Sequence, residues 1–165
     1  MNARTIGILC AAIIASYAAV FVQGWGAPKG WLLDDKGRPQ QTDYLSLWAA
    51  GSLAREGHPV AAYDWRTHDA AMAKGLGYET PAMLPYSYPP PMFLLLGPLS
   101  NLPYLPSMLT FSLAALALFA AMSAKIIGRP DGALWMCATV PAFWNFAVGQ
   151  TGALVASLLG AGLLL

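Results

Sequence analysis

All of the charged residues in this chain except Arg4, Lys125, Arg129 and Asp131 lie between Lys29 and Glu79. That placement constrains the fold more than any motif does, because it sets one polar segment between long stretches almost free of charge. The 165 residues are 57% hydrophobic and only 10% charged, against roughly 25% charged in an ordinary soluble domain. Such a chain is built for a membrane. Its net charge of +1 supplies no basic field for nucleic acid, and no motif that reads nucleic acid occurs. Cys10 and Cys137 both sit inside apolar runs, so neither a disulfide nor a thiolate metal site is indicated.

Residues 5–22 carry no charge and approach the ~20 residues a spanning helix needs. Arg4 is the expected cytoplasmic flank. A cleaved signal peptide competes, with Ala18 and Ala19 in the cleavage region, but the further apolar segments downstream favour an uncleaved first span. On either reading residues 24–103 form a long loop outside the cytoplasm. Pro98, Pro103 and Pro106 then interrupt the next apolar region, since proline removes a backbone donor and clashes with the preceding turn. The piece "MFLLLGPLSNL" would be about 16 Å long as a helix, against a hydrocarbon core near 30 Å. It is expected to be interfacial or re-entrant on the outer face. Residues 104–127 form the second span, with Lys125 and Arg129 at its cytoplasmic end. A third span is expected over 133–148, kinked at Pro141, and a fourth begins at 151–165. The run closes on "GAGLLL" without a charge or cap, so the chain is expected to be the front portion of a longer multi-span protein.

Two short helices are readable inside the loop. The first runs from Thr42 or Asp43 to about Glu56, with Tyr44, Leu47, Trp48 and Gly51 on one face and Gly57 as its stop. The second follows Asp64, a suitable N-cap, and ends near Gly75. Both are expected to lie along the outer membrane surface, or simply to cover the bundle. "PYSYPPPMF" favours an extended, polyproline-type backbone. It reads as a stiff connector, or as a site where Tyr86 and Tyr88 anchor at the headgroups or stack on a sugar ring. His58 and His68, with Asp64 and Asp69 nearby, have no recognised metal-ligand spacing, so no metal site is assigned. No phosphate loop, nucleophile elbow or paired-cysteine motif occurs, and no cofactor is called for.

"TDYLSLWAAGSLAREGHPVAAYDW", "YSYPPPMFLLLGPLSNLPY" and "NFAVGQTGALVASLLGAGLLL" follow one another in this order. Together they resemble the front half of a glycosyltransferase family 87 protein, over most of the chain from Thr42 onward. Four features carry the resemblance: an aspartate opening the first loop helix, the glycine-to-tyrosine segment "EGHPVAAYD", the tyrosine-proline-proline step and the glycine-glutamine turn. It implies an all-α, multi-span transmembrane helical bundle of the C-type glycosyltransferase fold. It also implies an enzyme of the plasma membrane, with its active face outside the cytoplasm. Such an enzyme moves a mannose-like hexose from a polyprenyl-phosphate sugar to a hydroxyl of a lipid or glycan acceptor, inverting the anomeric carbon.

In that resemblance Asp43 matches the general base, and Asp34 and Asp35 match less well because they precede the helix. A positioned carboxylate that takes the acceptor's proton contributes about 10²- to 10⁴-fold. At a helix N-terminus it is held ionised by the orphan amides and the macrodipole, and the same placement suits an N-cap. The leaving lipid phosphate wants a cationic partner. Arg38, Arg55, Arg66 and Lys74 are the candidates, with Arg55 and Arg66 preferred. Tyr86, Tyr88 and Gln150 complete the expected substrate contacts. The rival class is a transporter subunit or a non-catalytic membrane scaffold. A transporter would place polar groups inside its spans, whereas here little but Asn145 and Gln150 interrupts them, and the polarity gathers in the outer loop.

Overall fold

The computed structural model describes residues 3–26, 30, 32–80 and 84–165; Lys29 lies outside the described residues. Among these the chain is all-helical, apart from one isolated bridge between Leu33 and Pro39. The helices are α1 (Ala3–Gly26), α2 (Tyr44–Arg55), α3 (Trp65–Leu76), α4 (Phe93–Leu99), α5 (Tyr104–Ile127), α6 (Gly132–Cys137), α7 (Val140–Val148) and α8 (Gly152–Leu163). Short 3-10 helices at Pro59–Tyr63 and Pro90–Met92 lead into α3 and α4. Two compact units emerge. One is 26–111; the other combines 1–25 with 112–165. Helix α5 contributes its first two turns to the former and the remainder to the latter.

In the 26–111 unit, α2 is the core. Tyr44, Leu45, Ser46, Leu47, Ala49, Ala50, Gly51, Ser52 and Leu53 are all buried, so the helix has no broad polar face. A helix buried on nearly every side is packed inside its own unit. Gly51 explains how tightly it is held. A Cβ there would meet the Leu96 carbonyl oxygen at 2.4 Å, so the α2 and α4 backbones approach to a distance only glycine allows. Gly75 repeats the device on α3, where a Cβ would meet the Trp48 ring at 2.6 Å.

Local signals set the ends of α3. The Asp64 carboxylate accepts from the Thr67 backbone N–H at 2.9 Å and from its hydroxyl at 2.7 Å, satisfying an orphan donor of the first turn. Gly77 closes the helix in the left-handed region at φ 79°, as C-terminal glycines do. Upstream of α2, Asp34 builds a tight turn by accepting from the backbone of Lys36 and Arg38 and from Arg38 Nε at 2.8 Å. Gly37, at φ 72°, supplies the left-handed residue that turn requires.

In the other unit, α1 is exposed over most of its surface, with a half-buried stripe at Ile6, Cys10, Ile14, Tyr17 and Phe21. Arg4–Trp25 and Tyr104–Ile127 are the two described helices long and apolar enough to cross a membrane. The segment expected to be one kinked span over 133–148 is instead two helices, α6 and α7. Thr139 starts the second by accepting from the Ala142 backbone at 3.4 Å, and Pro141 lies in its first turn, where a missing N–H costs nothing. Pro141 thus begins a helix rather than kinking one. Asn145 starts the next: its Oδ1 accepts from the Ala153 backbone at 3.1 Å while its amide donates to Pro141 at 2.9 Å. Tyr17 of α1 stacks on Phe143 at 4.6 Å and Phe21 meets Phe146 at 5.0 Å. These rings border an apolar cavity of about 260 Å³.

The close approach at Gly51 is testable. Gly51→Ala should destabilise the protein by about 1–3 kcal/mol, the usual cost of overpacking. Gly7→Ala on α1, where an added Cβ meets nothing within 4 Å, should be neutral or stabilise by about 0.5–1 kcal/mol. Thermal unfolding of the two purified variants checks the contrast, and equal stabilities would contradict it.

Candidate active site

Asp43 stands at the start of α2 between two anchored neighbours. The Thr42 backbone N–H donates to the Tyr104 hydroxyl at 3.0 Å, and the Thr42 and Tyr104 hydroxyls lie 2.8 Å apart. On the other side the Tyr44 and Ser107 hydroxyls lie 2.8 Å apart, and the Tyr44 ring packs 5.2 Å from Phe111. Burial pushes the Tyr44 phenol up to about 12, against the opposing hydrogen bond with Ser107, so it stays neutral. Between these fixed points Asp43 is exposed. Its backbone is already helical (φ −59°, ψ −29°) and its side chain makes no capping hydrogen bond. The cap expected from sequence is therefore not formed, and the carboxylate is not committed to the helix end.

The cations sort themselves by their partners. Arg38 pairs with Asp34 at 2.8 Å and lies over the Tyr78 ring. Lys74 pairs with Glu56 at 3.0 Å, which holds the Glu56 carboxyl below its ordinary range. Arg55 and Arg66 are in no ion pair among the described residues. They differ in place. Arg55 ends α2, so about 18 Å of helix separates it from Asp43, farther than one sugar ring reaches. It borders an open groove with Pro59, Phe93, Leu94, Gly97 and Asn101. Arg66 opens α3, whose first turn is tied to the first turn of α2 by His68 Nε2 and Ser46 Oγ at 3.1 Å. Arg66 itself is exposed, while His68 is buried against α2.

Tyr86 and Tyr88 flank the proline step, with ring centroids 5.7 Å apart. Tyr86 is buried; its ring stacks on Phe93 at 5.2 Å and tilts against Tyr63 at 5.3 Å. The Tyr63 hydroxyl donates to the Tyr88 carbonyl at 2.7 Å, which locks the segment against the Pro59–Tyr63 turn. Gln150 belongs to the other unit, in the α7–α8 turn, where its backbone N–H donates to Asn145 at 2.9 Å. No group of three or more metal-ligating side chains occurs among the described residues.

The model of glycosyltransferase family 87 matches residues 86–165. No curated protein and no solved structure matches the chain. The family match, with two described helices long and apolar enough to span a membrane, suggests a membrane-bound glycosyltransferase, which would use a sugar donor and an acceptor. The family 87 segment takes in Tyr86, Tyr88 and Gln150 and begins after Asp43, Arg55 and Arg66.

Sequence reasoning passed over His68 except as a poor metal ligand. It is 1% exposed and joins α2 to α3. Its only signal in the sequence was its position on the apolar side of α3, in step with Met72 and Leu76. Burial lowers its affinity for a proton below the ordinary value of 6.5, with the Leu84 backbone and Asp69 opposing. Below about 6.5 the unfolded chain then binds a proton that the native state resists, so stability falls as the pH drops. His68→Gln should flatten this part of the profile, measured by thermal unfolding from about pH 7.5 down to about pH 5. An unchanged slope in the variant would contradict the assignment.

Proposed function

We propose that this chain is part of an inverting glycosyltransferase that moves a hexose from a polyprenyl-phosphate sugar to an acceptor hydroxyl at the outer face of the plasma membrane, with Asp43 as general base. The observation that carries the proposal is the setting of Asp43. Its carboxylate is exposed and not spent on capping, on a backbone pinned at both sides by buried hydroxyl contacts. A base must be held in place and reachable by its substrate; Asp43 is flanked by anchored neighbours and is exposed.

In this reading the acceptor hydroxyl approaches the Asp43 carboxylate, which takes its proton as the oxygen attacks the anomeric carbon. The bond to the lipid phosphate breaks on the opposite face, so configuration inverts. Arg66 is the cation assigned to the departing phosphate, since it is exposed and in no ion pair among the described residues. Arg55, at the far end of α2, serves a different part of a long substrate. Tyr86, Tyr88 and Gln150 remain proposed substrate contacts.

Asp43→Asn tests the assignment. Asparagine keeps shape and polarity but takes up no proton, so transfer from a polyprenyl-phosphate donor in reconstituted membranes should fall by about 10²- to 10⁴-fold. Stability should change by no more than about 1 kcal/mol, the scale of a charge at a helix end. Asp34→Asn should behave in the opposite way, loosening the turn it organises while leaving the chemical step near normal. Full transfer activity in Asp43→Asn would remove the base from the mechanism.

A further inference from the structure

Among the described residues of the 26–111 unit, two buried side chains hold polar atoms with no hydrogen-bond partner: Tyr86 Oη and His68 Nδ1. They are 6% and 1% exposed, their ring centroids are 6.1 Å apart, and both line one small cavity. An unsatisfied polar atom in such a place is costly, and two in the wall of one cavity call for a guest that answers both. The chemistry of that guest follows from the partners. The imidazole has two neutral tautomers. With the proton on Nε2 and donated to Ser46, Nδ1 accepts; with it on Nδ1, the side that the Leu84 backbone favours, Nδ1 donates. The Tyr86 phenol is a donor. A single hydroxyl group accepts from Tyr86 and either donates to or accepts from His68, so it answers the pair in both forms.

Size limits the guest further. The cavity holds about 40 Å³, and one water needs roughly 10–15 Å³. A hydroxyl or hydroxymethyl group enters; a whole sugar ring does not. The ring would have to rest at the rim, and the rim is aromatic. Trp65 and Tyr63 line the cavity yet remain 55% and 46% exposed. Flat apolar faces with a polar edge match the C–H face of a pyranose. The Arg66 guanidinium lies 5.4 Å from the centroid of the Trp65 ring, next to where a phosphate on that sugar would carry its charge.

We propose that this cavity is a pyranose subsite: one sugar hydroxyl sits between His68 and Tyr86 while the ring lies against Trp65 and Tyr63. The identity of the ligand rests on the glycosyltransferase reading, but the site does not depend on Asp43 being the base. The sugar comes from the donor or from the acceptor, and kinetics separates the two.

The chain has two histidines, so ¹⁵N-histidine labelling of the membrane-reconstituted protein gives a spectrum simple enough to follow. On titration with a panel of methyl hexopyranosides, the ring nitrogens of His68 should shift saturably with at least one member. Tyr86→Phe, which keeps the ring packing, should weaken that binding about tenfold, the scale of a lost buried hydrogen bond. It should raise KM for whichever substrate brings the sugar: for the donor if the ring is the transferred hexose, for the acceptor if it is not. Two results would overturn the subsite. One is a His68 signal unmoved by every sugar in protein that still transfers hexose; the other is both KM values unchanged in Tyr86→Phe. Either leaves the cavity to ordered water and the glycosyltransferase reading intact. A saturable His68 shift in protein that transfers no sugar would keep the subsite and remove the catalytic reading.

Discussion

The arrangement of the 26–111 unit depends on a knot of hydroxyls where α2 meets the first turns of α5. Thr42, Tyr44, Tyr104 and Ser107 are all buried, and their polar atoms answer one another at 2.8 to 3.0 Å. The Tyr104 hydroxyl also donates to the Gln40 carbonyl at 3.2 Å, which fixes the chain as it enters the helix. Each such bond adds only about 1 kcal/mol net, but a broken one leaves its partner buried and unsatisfied at a cost of about 1–3 kcal/mol. The knot is therefore stronger as a constraint than as a source of stability. It decides where Asp43 is held.

From that anchor the rest follows by contact. Helix α2 must run through the interior, and small residues let its neighbours close on it, Gly51 against α4 and Gly75 of α3 against Trp48. Ser46 and His68 hold α3 against α2 although 22 residues of sequence separate them. The aromatic segment around Tyr86 closes over His68. Arg55, only twelve residues from Asp43 in sequence, is carried away by α2.

Much of this was legible in the residues. Asp64 marked the start of α3, because capping chemistry is local and its signals sit within one turn of the helix end; the helix runs past Gly75, the expected end, and stops at Gly77. The bounds of α5 were readable from its unbroken apolar length and the prolines before it. The interior place of α2 was harder. Tyr44, Leu47, Trp48 and Gly51 gave the rhythm of one buried face, but Leu45, Ala49 and Leu53 bury the opposite side, and Ser46 and Ser52 masked that by adding polarity. "TVPAF" contained both an N-cap and a first-turn proline, which together signal a new helix at Thr139 rather than a kink. The cap assigned to Asp43 failed for a different reason. The backbone enters the helix one residue early, because Thr42 is held by Tyr104, a residue 62 positions away. Nothing near Asp43 in the sequence records that contact.

The chemistry proposed for Asp43 requires that the packed unit face the compartment where lipid-borne sugars are presented, opposite the turn that carries Arg129. Single cysteines at Ser87 and Pro130, both exposed, in a protein lacking Cys10 and Cys137, test that arrangement with a membrane-impermeant thiol reagent. Ser87→Cys should label in intact cells, and Pro130→Cys only after the cells are opened. Labelling of Pro130→Cys from outside, or protection of Ser87→Cys until lysis, would contradict the arrangement.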